Sequence, residues 1–215
     1  MLYNPPHFRE TDLAALHAQI LGTGLTTLIT VGEQGPIVSH LPMLLDPQAG
    51  PFGTLTGHLA RGNPQWKDSD FSKPAIAMFM GPDAYVSPSW YPSKAEHGKT
   101  VPTWNYSLIY VRGRVETFED AEELRAHVTA LTERFERDAP APWKVSDAPE
   151  DYLQRQLKGI VGLRLTIDGI EGKAKLSQNR TSADQDGVIA ALSASERPDD
   201  RAIGGMMRQR SSAKA

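Results

Sequence analysis

The chain has 215 residues, six His and no Cys, with a formal net charge of −3. A chain this long buries roughly 70% of the surface it would expose unfolded, so it needs no covalent staples, and the lack of thiols excludes disulfides, thiolate metal sites and Cys nucleophiles. The net charge gives no bulk pull toward nucleic acid, and no apolar stretch approaches the roughly 20 residues that cross a bilayer.

The opening MLYNPPHFRE carries no basic segment followed by an apolar run, so it is not a signal peptide, and a cytoplasmic protein without a membrane role is expected. Asp12 to Gly22 reads as a short helix, with Leu13, Leu16, Ile20 and Leu21 on one face and Gly22 and Gly24 as the stop. Leu25 to Val31 and Pro36 to Leu45, joined by the turn Gly32-Glu33-Gln34-Gly35, read as a hairpin. Gly53 to Leu59 is a third strand and Ala75 to Met80 a fourth. Gly81-Pro82-Asp83-Ala84 reads as a turn, after which Tyr85 to Ser87 resumes a strand. Val101 to Phe118 is the longest extended run, and Gly113 inside it suggests a bulge or bend.

The period then changes. Asp120 and Glu123 have capping-box spacing ahead of the helical stripe Leu124, Val128, Leu131 and Phe135. Asp138 to Pro142 breaks that helix, and Pro149 opens another with Leu153 and Leu157. Ile160 to Ile170 returns to strand alternation. Ser182 and Gln185 cap a last helix bearing Val188, Ile189 and Leu192. After Ser195 the chain is polar, with Arg197, Arg201, Arg208, Arg210 and Lys214, and reads as loose. The expected fold is mainly β with flanking helices, a compact barrel of about six antiparallel strands with helices outside. One domain over residues 1–194 and a basic, flexible tail over 195–215 are expected.

Four stretches depart from alternation. In His58 to Trp66 (HLARGNPQW), Arg61 offers a fork suited to phosphate, His58 and Asn63 add donors, and Gly62 permits close backbone approach. Taken alone, this stretch reads more readily as a strand end entering a proline turn, with Arg61 on the solvated surface. In Tyr85 to Lys94 (YVSPSWYPSK), Trp90 and Tyr91 between prolines make rigid planar walls, for a stacked ring or for sealing a barrel end. In Val101 to Tyr106, Thr103 and Asn105 share one strand face and Trp104 and Tyr106 the other, so the polar pair meets either a heterocycle edge or solvent. Glu171 to Arg180 (EGKAKLSQNR) carries Lys173, Lys175, Ser177, Gln178, Asn179 and Arg180, donors for an anionic ligand, although a solvated loop is the plainer reading for Lys173 and Arg180.

No catalytic residue emerges. The six His are scattered without metal-ligand spacing, so no metal site is expected, and His17 and His127 fall in helices as structural or surface residues. No Ser sits in a Gly-x-Ser-x-Gly elbow. The residues suit a binder of a small polar-aromatic ligand. If the protein is an enzyme, a cofactor carries the chemistry.

These motifs, with the opening MLYNPPHF, Ser39-His40-Leu41-Pro42, Gly81 to Pro92 and Lys175 to Arg180, resemble the PaiB-type family, described as FMN-binding negative transcriptional regulators. The match runs to about Leu192 and omits the tail. The resemblance implies an FMN-binding split barrel, usually a homodimer with flavin sites where two subunits meet. By motif position it makes His58, Ala60, Arg61 and Asn63 the phosphate end and Thr103, Trp104 and Asn105 candidates for the flavin body. Ser87, Lys175, Ser177 and Gln178 follow as further cofactor contacts, reaching across a dimer interface. Gly62 stands where Ala would be usual.

Three functions compete. The first is an FMN-binding regulator, although DNA contact has no helix-turn-helix or basic recognition helix behind it. The second is an FMN-dependent oxidoreductase acting on a small substrate, by analogy of fold. The third is a haem binder with His40 or His58 as axial ligand.

Overall fold

A computed structural model describes residues 2–212; Met1 of the opening motif and Lys214 of the tail lie outside the described residues. The chain forms two compact units. The first holds the residues up to Leu16, Met80–Ile109 and those from Glu171 on, and the second holds His17–Phe79 and Tyr110–Ile170.

Eight strands form one sheet: β1 (Arg9–Glu10), β2 (Thr26–Gly32), β3 (Gly35–Leu41), β4 (Met43–Asp46), β5 (Thr54–Ala60), β6 (Ala75–Val86), β7 (Thr103–Phe118) and β8 (Ile160–Lys175). Their order is β3-β2-β6-β7-β8-β5-β4, with β1 paired to β8. Pairings β1–β8, β2–β3, β2–β6, β4–β5 and β5–β8 are antiparallel. The helices are α1 (Leu13–Gly22), α2 (Gln65–Asp68), α3 (Ser93–His97), α4 (Ala121–Glu136), α5 (Glu150–Lys158), α6 (Ser182–Ser193) and α7 (Pro198–Ser212). The expected class, an antiparallel sheet with flanking helices of split-barrel type, is the one found.

In the second unit, β2 alternates buried Thr26, Leu28 and Thr30 with half-buried neighbours, as β-branched residues on a one-sided sheet should. The hairpin turns through Glu33 and Gln34, and Gly35 closes it at φ +112°, a value that favours glycine. β7 runs unbroken through Gly113, where a Cβ would lie 2.1 Å from the Thr166 carbonyl oxygen. Close backbone approach, rather than a bulge, requires that glycine. Leu124, Val145, Leu153 and Leu157 form a cluster under α4 and α5. Asp120 caps α4 by accepting from Glu123 N–H at 2.9 Å, as its spacing predicts. The buried face of α4 carries Leu124 and His127, whereas Phe135 is exposed.

In the first unit, the turn expected at Gly81–Ala84 is instead continuous strand, with Ala84 and Val86 fully buried. β8 extends to Lys175, so Lys173 and Lys175 stand on a strand rather than in a solvated loop. Thr181, one residue before the expected cap, accepts from Asp184 N–H at 3.2 Å and starts α6. The expectation of a loose tail is overturned for Pro198–Ser212, which is helix α7. Ile203, Met206 and Met207 have i, i+3, i+4 spacing and join a cluster with Val188, Ile189 and Leu192 of α6. Gly204 lets the helices close: a Cβ there would meet Leu192 Cβ at 3.3 Å. Among the described residues, no helix is long and apolar enough to cross a membrane.

Candidate functional site

The structure gathers the expected ligand contacts into two groups, one in each unit. The second unit holds His58, Ala60, Arg61 and Asn63, where β5 ends and the chain turns into α2. Ala60 is exposed, and its carbonyl accepts from Asn63 N–H at 2.9 Å. Arg61 is spread over three partners: Nε donates to the Lys158 carbonyl at 2.7 Å, Nη2 to the Ile160 carbonyl at 3.1 Å, and Nη1 to Glu119 Oε2 at 2.6 Å. Its own carbonyl accepts from Trp66 Nε1 at 3.0 Å. Arg61 thus braces the β5 exit against the start of β8 while its side chain stays partly exposed. Asn63 donates from Nδ2 to Ser39 Oγ at 2.8 Å and accepts at Oδ1 from Gln65 N–H at 2.9 Å, which explains an Asn before Pro64.

His58 Nδ1 lies 3.1 Å from Nε2 of His127, with the rings edge to face. Burial lowers the pKa of both, and His127, further depressed by the neighbouring His58, falls to about 4. The pair is therefore neutral at neutral pH, one ring donating to the other. Nδ1 of His127 is buried with no hydrogen-bond partner among the described residues. No group of three or more His, Asp or Glu that could hold a metal occurs among the described residues.

The first unit holds Ser87, Thr103, Trp104, Asn105, Lys175, Ser177 and Gln178. Lys175 Nζ donates to Thr103 Oγ1 at 2.7 Å and to the Trp104 carbonyl. An ammonium has three hydrogens, so one remains. Trp104 is half exposed and meets Tyr85 edge to face, with ring centroids 5.9 Å apart. Lys173, two residues before Lys175, is buried, with Nζ donating to the Tyr3 carbonyl at 2.8 Å and lying over the Tyr3 and Tyr106 rings. The Arg180 guanidinium lies over Tyr91 at 4.8 Å. The Lys175 pKa is lowered, first by burial and then by repulsion from Lys173 and Arg180. Among the described residues, none of these three cations forms an ion pair with a carboxylate within 4.0 Å. A cation cluster that repels itself, beside an exposed aromatic pair, fits an anionic ligand with a planar ring.

Asn105 and Ser177 are buried and bonded to each other, Nδ2 to Oγ at 3.0 Å and Oγ to Oδ1 at 3.2 Å. Gln178 folds back, accepting from Leu176 N–H at 2.7 Å and donating to the Ala174 carbonyl. Ser87 caps a short 3-10 turn over Pro88–Trp90 and shares a bond with Ser89 Oγ at 2.6 Å. Sequence reasoning missed Lys173 as a buried cation, Tyr85 as the partner of Trp104, and Glu119 and His127 as the partners of Arg61 and His58. Strand alternation continued past Ile170 would have set Lys173 and Lys175 on one face. No local signal points to Glu119 or His127, which lie 58 and 69 residues from their partners.

Comparison with known proteins places the geometry in context. The family model described as "Putative FMN-binding domain" matches residues 2–169. The chain is 34% identical over 209 residues to the Bacillus subtilis protein named protease synthase and sporulation protein PAI 2, covering 96% of each chain. An FAD and heme binding protein from Mycobacterium smegmatis shares the fold at TM-score 0.57 and 18% identity, over 85% of this chain and 79% of that one. The flavocytochrome Anf3 from Azotobacter vinelandii does so at TM-score 0.57 and 12% identity, over 91% and 75%.

Proposed function

We propose, on the premise that this chain belongs to the PaiB-type family of FMN-binding proteins, that its first unit engages FMN through Lys175, Thr103 and Trp104. The carrying observation is the trio Lys173, Lys175 and Arg180, none of them in an ion pair with a carboxylate within 4.0 Å among the described residues, although the Asp184 carboxylate lies near enough to feel Arg180. The phosphate of FMN supplies the missing negative charge, and its ring system matches the exposed Trp104 and Tyr85 side chains. Lys175 brings its third hydrogen to the ligand, while Thr103 and the Trp104 carbonyl hold its other two. Ser87, Ser177 and Gln178 shape the surrounding turns. Bound FMN supplies reversible electron transfer, and the chain supplies binding and orientation.

Arg61, His58, Ala60 and Asn63 enter the proposal differently. Arg61 has five N–H donors and three are engaged inside the second unit. A phosphate contact there draws only on the remaining two.

The protein acts as a regulator of the PaiB type, in the cytoplasm and as a homodimer. Support for the dimer is the run of large apolar side chains that one copy of the first unit leaves exposed, namely Tyr3, Met80, Tyr85, Val101 and Trp104. The ordered tail gives DNA no loose basic arm through residue 212. The four described tail arginines are engaged within the first unit: Arg197 with Asp200, Arg201 with the Ser195 carbonyl, Arg208 with Ser193, and Arg210 with Glu10. A salt-sensitive shift of the protein's own promoter DNA would show direct DNA contact all the same.

The decisive test is a fluorescence titration of FMN into purified protein, paired with Lys175→Ala. Saturable quenching is expected, with affinity reduced roughly tenfold to hundredfold in the variant. Protein that takes up no FMN would sink the cofactor site. Rapid bleaching of the bound flavin by a nicotinamide donor would replace the regulator with an oxidoreductase.

A further inference from the structure

We propose that Met207 of α7 is a positioning residue for the FMN site, acting through Asn105 and Ser177. This rests on the assignment of that site to the first unit. The family match ends at residue 169, before α6 and α7, so nothing in it assigns a role to this helix.

Asn105 is fully buried, and its two amide hydrogens have two acceptors: Ser177 Oγ at 3.0 Å and Met207 Sδ at 3.4 Å. Its carbonyl oxygen accepts from the Ser177 hydroxyl. The amide is therefore spent inside the protein and orients Ser177 instead of meeting a ligand. Ser177 has φ +61°, the sole left-handed backbone on a non-glycine residue among those described. L residues disfavour that region, so the conformation persists only where its surroundings hold it. Here the holder is Asn105, and Met207 holds Asn105.

Ser177 is the hinge between Lys175, at the end of β8, and Arg180, whose N–H donates to the Ser177 carbonyl at 3.0 Å. Fixing Ser177 therefore fixes the spacing of two of the three cations. The rest of α7 is seated to do this. Ile203, Gly204 and Met207 are buried, and Arg210 reaches Glu10 Oε2 at 3.2 Å and the Arg9 carbonyl at 3.3 Å. Arg9 pairs in register with Lys173, so one helix steadies the segments flanking all three cations.

The test is Met207→Leu, which keeps apolar volume and removes the sulfur acceptor, leaving a buried Asn105 hydrogen unpaired. FMN affinity should weaken about threefold to tenfold, alongside a modestly lowered thermal midpoint from the unpaired amide hydrogen. Tryptic cleavage after Arg180 should quicken in the FMN-free protein. In a Ser177→Ala background the Met207→Leu change should add nothing to the affinity loss, because both act on one chain of bonds. A lowered midpoint with unchanged affinity and unchanged cleavage would reduce Met207 to a packing residue and overturn the proposal. If the unmodified protein binds no FMN, the site assignment falls, and the cleavage rate still decides whether Met207 holds the turn.

Discussion

The two polar groups of this molecule look alike in sequence and differ in bookkeeping of charge. In the second unit Arg61 faces a carboxylate and two carbonyls, and His58 faces a second neutral imidazole. In the first unit Lys173, Lys175 and Arg180 face carbonyls, a hydroxyl and aromatic rings, with no ion pair to a carboxylate among the described residues. A basic residue ion-paired with its own acid is a brace, and Lys175, whose charged neighbours are Lys173 and Arg180, is poised for an anion. The difference decides which group meets a phosphate more surely than residue type does.

Swapping the two losses is the strongest way to break the comparison. Lys175→Ala should lower FMN affinity roughly tenfold to hundredfold and leave the thermal midpoint near its starting value, since repulsion from Lys173 and Arg180 is relieved. Arg61→Ala should do the reverse. It frees two backbone carbonyls and Glu119, at a cost of about 2 kcal/mol in unfolding free energy, reduced from the buried case because the ion pair is half exposed. Affinity of the folded fraction should change little. Urea unfolding and fluorescence titration on both variants read the outcome. If Arg61→Ala abolishes FMN binding at unchanged stability, the phosphate end lies in the second unit.

Much of this was legible in the sequence where the signal is local. The hairpin about Gly35, the α4 cap at Asp120 and the helix opening after Pro149 follow from turn and cap chemistry within a few residues. The stretches that carry the candidate residues stand out in the sequence as well, because unusual polar and aromatic composition marks them. Their roles were not legible, since Glu119, His127 and Met207 reach Arg61, His58 and Asn105 only through the fold. The tail reads as loose in the sequence because its arginines outweigh its apolar residues in composition. The stripe Ile203, Met206 and Met207 is short, and the glycines beside it look like breakers until α6 is placed against them.

Acid sharpens the same contrast. The His58–His127 pair is held neutral by burial, and His127 titrates at about 4 in the folded chain against 6.5 for the free group. Unfolded chains bind those protons first as pH falls. Stability from the pair is thus complete above 6.5 and is lost as pH drops toward about 4. The urea midpoint should decline through that window, and His127→Phe should flatten the decline. A variant that keeps the wild-type slope would show that other groups carry the acid sensitivity.

The smallest expected effect separates the units by their helix caps. Thr181 accepts from Asp184 N–H at 3.2 Å to start α6, and Asp120 accepts from Glu123 N–H at 2.9 Å to start α4. Replacing either with Ala should cost about 1 kcal/mol. Beyond that the two should part. Thr181 follows Arg180 directly, and the first turn of α6 ties that arginine down, Gln185 Nε2 donating to its carbonyl at 2.9 Å. The Asp184 carboxylate meanwhile accepts from Ser93 N–H and Oγ at 3.1 and 2.8 Å. Fraying this turn loosens the cation nearest Tyr91, so Thr181→Ala should also weaken FMN about two- to threefold. Asp120→Ala loosens a helix whose first turns carry two matched charges, Glu123 with Arg164 and Arg125 with Glu150, and should leave FMN affinity alone. Equal affinity losses at equal stability cost would mean that the site responds to global stability, and that the first unit holds no privileged cation cluster.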